Sequence, residues 1–414
     1  MKRVVITGMG VVSPIGNNVE TFWKNLQEGV CGIGKISNFD PEKENLPVSV
    51  AAEVKDFDVE SFGVDKGMAR RSDRFCQFAL AAAAQAMEDS GLKGNIAPER
   101  LGVYVGSGIG GMQTYIGECK KLFEEGANRI SPLFIPMIIS NIAAGNIAIA
   151  HQAEGPCLPV VTACATSTHA IGEAYRAIKF GYADAIISGG TESTINPLAV
   201  GGFSNSKALT KSSNPLEASL PFDARRGGFV IGEGAGILIL EEYEHAKARG
   251  AKIYAELCGY GNTCDAHHYT APKPDGSCAS RALKLALDEA NYDAEKDVVY
   301  VNAHGTGTPL NDKSETQAIK LAFGEENAKK LHISSSKSMT GHMLGAAGAV
   351  EVIVSALSLR DGVVTPTIGL KEQDPLCDLN YTPNKAVKAD ITLAISDSLG
   401  FGGHNGAVAL RKLK

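Results

Sequence analysis

The chain has 414 residues, with 46 glycines, 44% hydrophobic residues and a formal net charge of −6. This length is ample for a large core in two or three domains, and the net acidity argues against general nucleic-acid binding, which needs a basic face. No apolar run reaches the length needed to cross a bilayer, and Met1-Lys-Arg-Val-Val-Ile enters a strand at once, without a signal-peptide core and cleavage site. We therefore expect a cytoplasmic protein with no membrane partner.

In the first half of the chain, the predicted elements are a helix, a strand with a glycine turn, a second strand and a second helix. Residues 74–92 form an Ala-rich helical pattern, and residues 101–111 predict a strand that enters a glycine turn. Residues 160–164 (Val-Val-Thr-Ala-Cys) predict an apolar strand that leads into a helix ending at Lys179. Cys164 is thus predicted at the junction of a strand and a helix.

The second half repeats this order of elements. Residues 277–292 predict a helix, residues 298–308 a strand with a glycine turn, and residues 332–337 a strand before a helix at 344–359. Such self-similarity at a long period indicates two copies of one supersecondary layout, although the copies share a pattern rather than letters. Because strands alternate with helices, we predict an α/β class with a mainly parallel or mixed central sheet.

The boundary between the two copies is predicted near residues 241–252, where a strand gives way to a charged helix. Residues 252–259 then resemble residues 3–8 at the start of the chain. We therefore predict an N-terminal half at 1–251, with insertions that form a cap or a subunit interface, and a C-terminal half at 252–414. The two halves are expected to pack as one body.

Cys164 is the candidate nucleophile among nine cysteines. The cysteines form no Cys-x-x-Cys and no zinc-type spacing, and a reducing compartment keeps such thiols free. A thiol in the first turn of a helix lies near unpaired backbone N–H groups and the positive end of the helix dipole, which favour the nucleophilic thiolate. From the residues alone, a small buried core cysteine is an equal alternative.

His304, His342 and Lys337 lie at corresponding turns of the second copy. His304 follows a predicted strand, and His342 follows Lys337-Ser-Met-Thr-Gly between a strand and a helix. Each histidine taken alone is more often structural than catalytic. However, ligand sites form at the strand ends of α/β sheets, and pseudo-symmetric packing would bring these turns to one face with Cys164. The histidines show no metal-ligand spacing.

Another glycine turn, at residues 400–403 (Gly-Phe-Gly-Gly), follows the predicted strand that contains Ile395. Because glycine lets backbone N–H groups approach a reacting carbonyl closely, this turn is a candidate for half of an oxyanion hole. A tight hairpin before the strand at residues 407–410 is the simpler explanation of the same glycines.

Together these motifs resemble the β-ketoacyl-[acyl-carrier-protein] synthases, and most closely the type II elongating condensing enzymes of the thiolase superfamily. The resemblance spans essentially the whole chain and rests on four ordered motifs: Val160-Val-Thr-Ala-Cys-Ala-Thr-Ser167, Asn302-Ala-His-Gly-Thr306, Lys337-Ser-Met-Thr-Gly-His342 and Gly400-Phe-Gly-Gly403. It implies the thiolase-type fold, a five-layered αβαβα arrangement of two pseudo-repeated halves, normally as a homodimer. It also implies acyl carrier protein as the partner. No cofactor is required, because the carrier protein brings the phosphopantetheine arm.

The resemblance further implies an acyltransferase reaction. An enzyme-bound acyl thioester undergoes decarboxylative Claisen condensation with malonyl-acyl carrier protein, giving 3-oxoacyl-acyl carrier protein, carbon dioxide and free carrier protein in fatty acid elongation. Cys164 matches the nucleophile, and His304 and His342 match the pair that donates hydrogen bonds to the malonyl thioester oxygen. The remaining catalytic matches are the N–H groups of Cys164 and Phe401 as an oxyanion hole, and Lys337 and Glu315 as a charged network around the histidines.

Other matched positions concern binding. Thr306 and Thr308 match contacts of the phosphopantetheine arm, Phe401 matches a mobile gate, and Ile109 and Phe203 match walls of the acyl pocket. A basic surface that meets the acidic carrier protein is expected despite the net negative charge, and its members are Lys66, Arg70, Arg71 and Lys207. In this family a structural monovalent cation (Na⁺ or K⁺) can lie near the positions of Asn302, Glu351, Ser396 and Asp397.

Four positions depart from the residues usual in this family. Asp397 stands where Asn is usual, Gly307 where Ser is usual, Asn311 where Gly is usual and Leu399 where Phe is usual. The last three differences do not affect the expected chemistry, but because of them the sequence does not predict the preferred acyl chain length.

Several alternatives use different chemistry on related scaffolds. A thiolase would need a second catalytic cysteine, a chain-initiating synthase would use Cys, His and Asn, and a non-catalytic chain-length subunit lacks the nucleophile. The matched motifs oppose all three. A ketosynthase subunit of a type II polyketide pathway retains Cys164, His304 and His342 and stays an open alternative. A cysteine hydrolase, which needs water at the thioester, also stays open.

Overall fold

A computed structural model describes residues 1–413 of the chain. The strands are β1 (Val4–Val12), β2 (Gly34–Lys35), β3 (Val50–Ala51), β4 (Leu101–Gly106), β5 (Ala185–Glu192), β6 (Gly234–Glu242), β7 (Ala255–Cys264), β8 (Val299–Asn302), β9 (His332–Ser334), β10 (Val363–Val364), β11 (Val387–Lys388), β12 (Leu393–Gly400) and β13 (His404–Arg411). The helices are α1 (Val19–Glu28), α2 (Lys66–Arg70), α3 (Arg74–Ser90), α4 (Met112–Glu125), α5 (Phe134–Ile138), α6 (Ile142–His151), α7 (Thr166–Lys179), α8 (Pro197–Asn205), α9 (Tyr243–Ala248), α10 (Ser277–Glu289), α11 (Pro309–Phe323), α12 (Glu325–Ala328), α13 (Lys337–Thr340) and α14 (Ala347–Asp361). Within residues 1–413, no helix combines the length and apolarity that a membrane span requires.

One nine-stranded sheet runs through the molecule in the order β4-β5-β6-β1-β7-β13-β12-β8-β9. The pairs β4–β5, β12–β8 and β8–β9 are parallel, and the remaining pairs are antiparallel. The predicted mixed sheet is therefore confirmed. Because β1 and β7 pair directly across the middle of the sheet, the two halves share one structural frame, and the division at residues 251 and 252 stays a prediction.

The helices form three layers around the two halves of this sheet. Helices α7 and α14 pack against each other in the centre and contact strands of both halves, while α3 and α6 cover the outer face of one half and α10 and α11 cover that of the other. Every residue of α14 from Ala347 to Leu359 is buried, as expected for a helix enclosed on all sides. The predicted five-layered αβαβα arrangement is confirmed.

The internal repeat is visible in how two strands meet their covering helices. A Cβ atom placed on Gly10 of β1 would lie 2.0 Å from the carbonyl oxygen of Ala82 in α3. In the same way, a Cβ on Gly261 of β7 would lie 1.8 Å from the carbonyl oxygen of Ala282 in α10. The two copies therefore use the same device, a side-chain-free strand position that lets a helix backbone approach closely.

The predicted strand at residues 160–164 is wrong. Residues 157–162 run beside β4 and form only one isolated bridge, Val103 with Cys157. They occupy the place that β9 holds in the other half, but within residues 1–413 no strand lies on their outer side. As a result Leu158 and Val161 are 46% and 50% exposed, although the apolar letters resemble a buried strand.

The tight glycine contacts generate a stability prediction. We expect Gly10→Ala and Gly261→Ala each to lower the free energy of unfolding by about 1–3 kcal/mol, because the added methyl group overlaps a helix backbone that cannot move independently. Urea unfolding measures this change. The matched control is Gly117→Ala in α4, where nothing within 4 Å opposes a Cβ, and which we expect to be neutral or slightly stabilising. Equal stability of all three variants would contradict the packing argument.

Candidate active site

Cys164, His304 and His342 line one cavity of about 80 Å³. Cys164 precedes α7 in the N-terminal half, His304 follows β8, and His342 follows α13 in the C-terminal half. The same cavity is lined by four residues that match acyl-pocket, phosphopantetheine or gate positions of the family: Phe203, Thr306, Thr308 and Phe401. A larger surface depression of about 860 Å³ borders α3 and the end of α6, but it contains none of these residues.

The turn that carries Cys164 is strained. Ala163–Ala165 forms a 3₁₀ turn before α7, and Ala163 has a φ of 51°. Non-glycine residues rarely adopt this left-handed conformation, and where they do it often marks a functional site. Cys164 therefore does not end a strand as predicted. It lies in a sharp turn that directs its sulfur into the cavity.

The backbone N–H groups of Phe401 and of Cys164 itself lie close enough to the Cys164 thiol to lower its pKa. The Phe401 turn links β12 to β13, so it is both the hairpin and the N–H donor considered from the sequence. A Cβ on Gly400 would lie 2.7 Å from the Thr162 carbonyl oxygen and 3.3 Å from the Cys164 nitrogen. Glycine at position 400 is therefore what allows the two N–H groups to come together.

Burial raises the pKa of the Cys164 thiol to about 12, although the Lys337 charge and the two N–H groups lower it. Cys164 keeps some exposure through the cavity, but protein surrounds the sulfur closely on its other sides. The prediction that the start of the helix favours the thiolate is therefore wrong. Desolvation outweighs the dipole, and the resting group is a neutral thiol.

The two histidines lie close together and are almost completely buried. Their ring centroids are 5.3 Å apart with an interplanar angle of 85°. The Nδ1 atoms of both rings are buried without a hydrogen-bond partner, which leaves the Nε2 edges for the cavity. Burial, assisted by the charge of Lys337, holds the pKa of each imidazole well below its usual value. Both rings are therefore neutral at physiological pH.

Lys337 is 1% exposed and forms an ion pair with Glu351. Glu315, the partner expected from the family resemblance, accepts a hydrogen bond of 2.8 Å from the N–H of Gly305, next to His304, and it also contacts Asp397. Burial raises the pKa of Glu351 to about 7, that of Asp397 to about 6 and that of Glu315 well above its usual value. The carboxyl groups around Lys337 therefore lose their negative charge at a higher pH than exposed carboxyl groups do.

Five buried oxygen atoms in or near this cluster lack hydrogen-bond partners: Asn302 Oδ1, Glu315 Oε1, Glu351 Oε2, Ser396 Oγ and Asp397 Oδ1. Asn302 and Ser396 are neighbours in the β8–β12 pairing. Orphaned oxygens of this kind fit a hard cation, which takes carboxylate, amide and hydroxyl ligands. No cluster of three or more His, Cys, Asp or Glu residues with metal-site geometry occurs in residues 1–413, so such a site would depend on Asn302 and Ser396.

An aromatic wall borders the cavity on the acyl side expected from the sequence. Phe203 packs against Phe229 with centroids 5.5 Å apart and against Phe401 at 6.4 Å, and Phe229 packs against His342 at 5.1 Å. Ile109, the other predicted wall residue, does not line the cavity and is 42% exposed. Leu399 and Asn311, two of the positions that depart from the family, do line it.

The predicted carrier-protein contacts are all exposed, and none of them lines the cavity. Lys207 lies next to Ala208, which lines the cavity. Lys66 and Arg70 are the ends of the short helix α2, and Arg71 follows it.

The loop between β7 and α10 forms part of the site but is not among the residues predicted from the sequence. Asp265, Thr270, Ala271 and Pro272 line the cavity, and the N–H of Gly402 donates a 2.8 Å hydrogen bond to the Tyr269 carbonyl oxygen. The available signal was positional, because this loop leaves a strand end at the same face as His304.

Comparison with known proteins identifies a family. Residues 1–246 match the beta-ketoacyl synthase N-terminal domain and residues 254–371 match the beta-ketoacyl synthase C-terminal domain. The chain is 51% identical over 414 residues to 3-oxoacyl-[acyl-carrier-protein] synthase 2 of Staphylococcus aureus (strain COL), covering 100% of this chain and 99% of that protein. It is 48% identical over 413 residues to the protein of the same name from Synechocystis, covering 99% and 98%.

Solved structures agree with this grouping. The ketosynthase of a type II polyketide synthase, in complex with its acyl carrier protein and bound to a hexaketide, is 35% identical with a TM-score of 0.92. A β-ketoacyl synthase from Burkholderia phymatum is 34% identical with a TM-score of 0.92. Both comparisons cover 100% of each chain. The chain therefore belongs to the β-ketoacyl synthase family of acyltransferases, which have the thiolase fold.

Proposed function

We propose that this protein elongates fatty acyl chains by decarboxylative condensation of an acyl group held on Cys164 with malonyl-acyl carrier protein. The observation that carries the proposal is the meeting of a thiol, two neutral imidazoles and two convergent N–H groups in one cavity. The 51% identity to 3-oxoacyl-[acyl-carrier-protein] synthase 2, against 35% to a polyketide ketosynthase, favours fatty acid elongation over the polyketide alternative.

The first step is acyl transfer to Cys164. The sulfur attacks the carbonyl carbon of the acyl thioester, and the N–H groups of Cys164 and Phe401 stabilise the oxyanion of the tetrahedral intermediate. The carbon–sulfur bond to the phosphopantetheine arm then breaks. The proton of the Cys164 thiol ends on the departing arm, so the exchange leaves an acyl thioester on the enzyme and a free thiol on the carrier protein.

The second step is decarboxylation of the malonyl group. The bond between the malonyl carboxylate and the α-carbon breaks, carbon dioxide leaves, and the electron pair of that bond forms an enolate. The enolate oxygen accepts hydrogen bonds from the Nε2–H groups of His304 and His342. Because both imidazoles are neutral, they stabilise charge that appears only as carbon dioxide leaves, which is how preorganised donors accelerate a reaction. Their lowered pKa values also make them weak bases, which disfavours a cysteine hydrolase that must activate water.

The third step forms the new carbon–carbon bond. The enolate carbon attacks the acyl carbonyl on Cys164, and the same two N–H groups receive the oxyanion. Collapse of this intermediate expels the Cys164 thiolate, which takes up a proton from solvent. The raised pKa of Cys164 favours this reprotonation and returns the resting thiol.

Acyl carrier protein is the proposed partner. The hydroxyls of Thr306 and Thr308 lie 3.0 Å apart in the cavity lining, where they can donate to and accept from the amides of a phosphopantetheine arm. The exposed cations Lys66, Arg70, Arg71 and Lys207 supply the charge that an acidic carrier protein would meet.

A homodimer in the cytoplasm is the proposed assembly and location. Residues 157–162 form an open edge beside β4, and the exposed apolar side chains Leu158, Val161 and Ile109 lie on or near it. An edge of this kind is a template for pairing with another chain, and a twofold copy would cover it.

The proposed location in the cytoplasm rests on the cysteines. All nine cysteines are free, as is typical of a reducing compartment.

A monovalent cation is proposed at Asn302, Glu351, Ser396 and Asp397. When bound, it would satisfy their orphaned oxygens and neutralise part of the carboxylate charge around Lys337. Asp397 in place of the family's usual asparagine adds a carboxylate to this set. The reaction steps above do not pass through the cation.

Two substitutions at Cys164 test the separation of the two oxyanion sites. Cys164→Ala should abolish acyl transfer while leaving the fold intact, because only the sulfur is lost. Cys164→Gln should also block acylation but retain malonyl decarboxylation, because the imidazoles remain in place. Mass spectrometry of the protein and of the carrier products measures both reactions. Condensation by Cys164→Ala would remove Cys164 from its role, and loss of both reactions in Cys164→Gln would argue against two separate holes.

The histidines are tested by comparing the same two half-reactions. His304→Ala and His342→Ala should each slow decarboxylation by about 10² or more, since each removes one donor to the enolate oxygen, and should slow acyl transfer much less. His332→Ala is the matched control, because His332 lies on β9 outside the cavity and should leave both rates near wild type. A larger effect on acyl transfer than on decarboxylation would overturn the assignment.

Cation binding is tested by unfolding in different salts. We expect the midpoint of thermal unfolding to be roughly a few degrees higher in Na⁺ or K⁺ than in a bulky organic cation at equal ionic strength. A ligand that binds only the folded state stabilises that state. Ser396→Ala should abolish this difference. Ser358→Ala is the control, since its buried hydroxyl also lacks a partner but lies on the far part of α14. Equal midpoints in all salts would exclude the site.

A further inference from the structure

We propose that His169 is a positioning residue that sets the distance between the two N–H donors of the oxyanion hole at Cys164. The inference rests on the proposed function, because it concerns the hole used in acyl transfer and condensation. His169 lies in the first turn of α7, is 2% exposed and does not line the cavity. It therefore acts on the reaction only through other residues.

The His169 ring joins the two segments that form the hole. Its Nδ1 lies 2.9 Å from Thr162 Oγ1, and its Nε2 lies 3.3 Å from the Asn405 carbonyl oxygen. Because a carbonyl oxygen only accepts, Nε2 carries the hydrogen, and Nδ1 accepts from the Thr162 hydroxyl. One imidazole thus binds the chain two residues before Cys164 and four residues after Phe401.

The geometry around this bridge leaves little freedom. A Cβ on Gly406 would lie 2.8 Å from the His169 ring, so the strand after the Phe401 turn rests directly on the imidazole. On the cavity side, Gly400 approaches the Thr162 carbonyl equally closely. The two segments are therefore held apart by the ring and held together by its two hydrogen bonds. The width of the hole follows from these contacts.

The bridge keeps one protonation state. Burial is the main reason that the pKa of His169 is lowered to about 4. The ring therefore stays neutral and keeps one donor and one acceptor through the neutral pH range. A protonated ring would carry two donors and would lose the acceptor that Thr162 needs. A neutral imidazole of fixed tautomer is suited to a spacer whose length must not change with pH.

Three substitutions dissect the bridge. His169→Gln keeps an N–H that can reach the Asn405 carbonyl but loses the contact with Thr162, while His169→Asn keeps an acceptor near Thr162 and loses the contact with Asn405. Thr162→Val removes the same hydrogen bond from the other side with almost unchanged shape. Thr7→Val, which removes a buried hydrogen bond to Glu241 far from the cavity, is the control for general loss of stability.

Two rates are measured for each variant in the full-length protein. Acylation by acyl-acyl carrier protein is followed by mass spectrometry, and malonyl decarboxylation is followed in the Cys164→Gln background. We expect each bridge variant to slow acylation by about tenfold or more, because a small misplacement of donors is costly, and to leave decarboxylation within about twofold, since His304 and His342 are not part of the bridge. Thr7→Val should change neither rate.

Two results would overturn the inference. Unchanged acylation in the bridge variants would remove His169 from the hole, and equal slowing of both half-reactions would mean a general structural role. If one His169 variant fails to fold, Thr162→Val and the other variant decide the question. A wild-type protein that lacks acylation or decarboxylation would instead refute the proposed function itself, so the two failures are distinguishable.

Discussion

The electrostatics of the whole site depend on one buried cation, the ammonium group of Lys337. It is enclosed by protein and paired with Glu351. Burial raises the pKa of Cys164 and lowers those of His304 and His342, and the Lys337 charge adds a smaller lowering contribution at all three groups. Burying an unpaired charge is prohibitive, and a buried pair persists only with good geometry and further hydrogen bonds. The carboxyl groups of Glu351, Asp397 and Glu315 supply that setting. Burial keeps the two imidazoles neutral and the fixed Lys337 charge adds to this effect. The neutral form is the one that suits stabilisation of an enolate.

An almost symmetric scaffold carries an asymmetric site. Each half places a strand end and a small-residue helix at the same face, and Gly10 and Gly261 show that the halves even share their tightest packing contact. The Cys164 thiol comes from one half, and the imidazoles and Lys337 come from the other. The fold therefore brings a thiol and a pair of neutral imidazoles together from two separate loops, and His169 and Gly400 lie where the two halves meet.

The repeat, the mixed sheet and the convergence of Cys164, His304 and His342 were predictable because they follow from local periodicity and from the rule that sites form at strand ends. The strand prediction at residues 160–164 was wrong because a run of apolar residues does not show whether a further strand will pair on the outer side of the segment. The thiolate predicted at Cys164 failed because desolvation depends on the whole surrounding structure and outweighs a local dipole. The pairing of Lys337 with Glu351, and the loop that contains Asp265, have no signature in the spacing of residues.

The most direct test of the account is the protonation state of the two cavity imidazoles. Nitrogen NMR of histidine-labelled protein, assigned with His304→Asn and His342→Asn, reports the charge of each ring as the pH falls. Because burial and the Lys337 charge lower both pKa values, the two rings should stay neutral as the pH falls from 8 through the usual histidine midpoint of about 6.5. Titration of both rings with midpoints near about 6.5 would contradict the central claim.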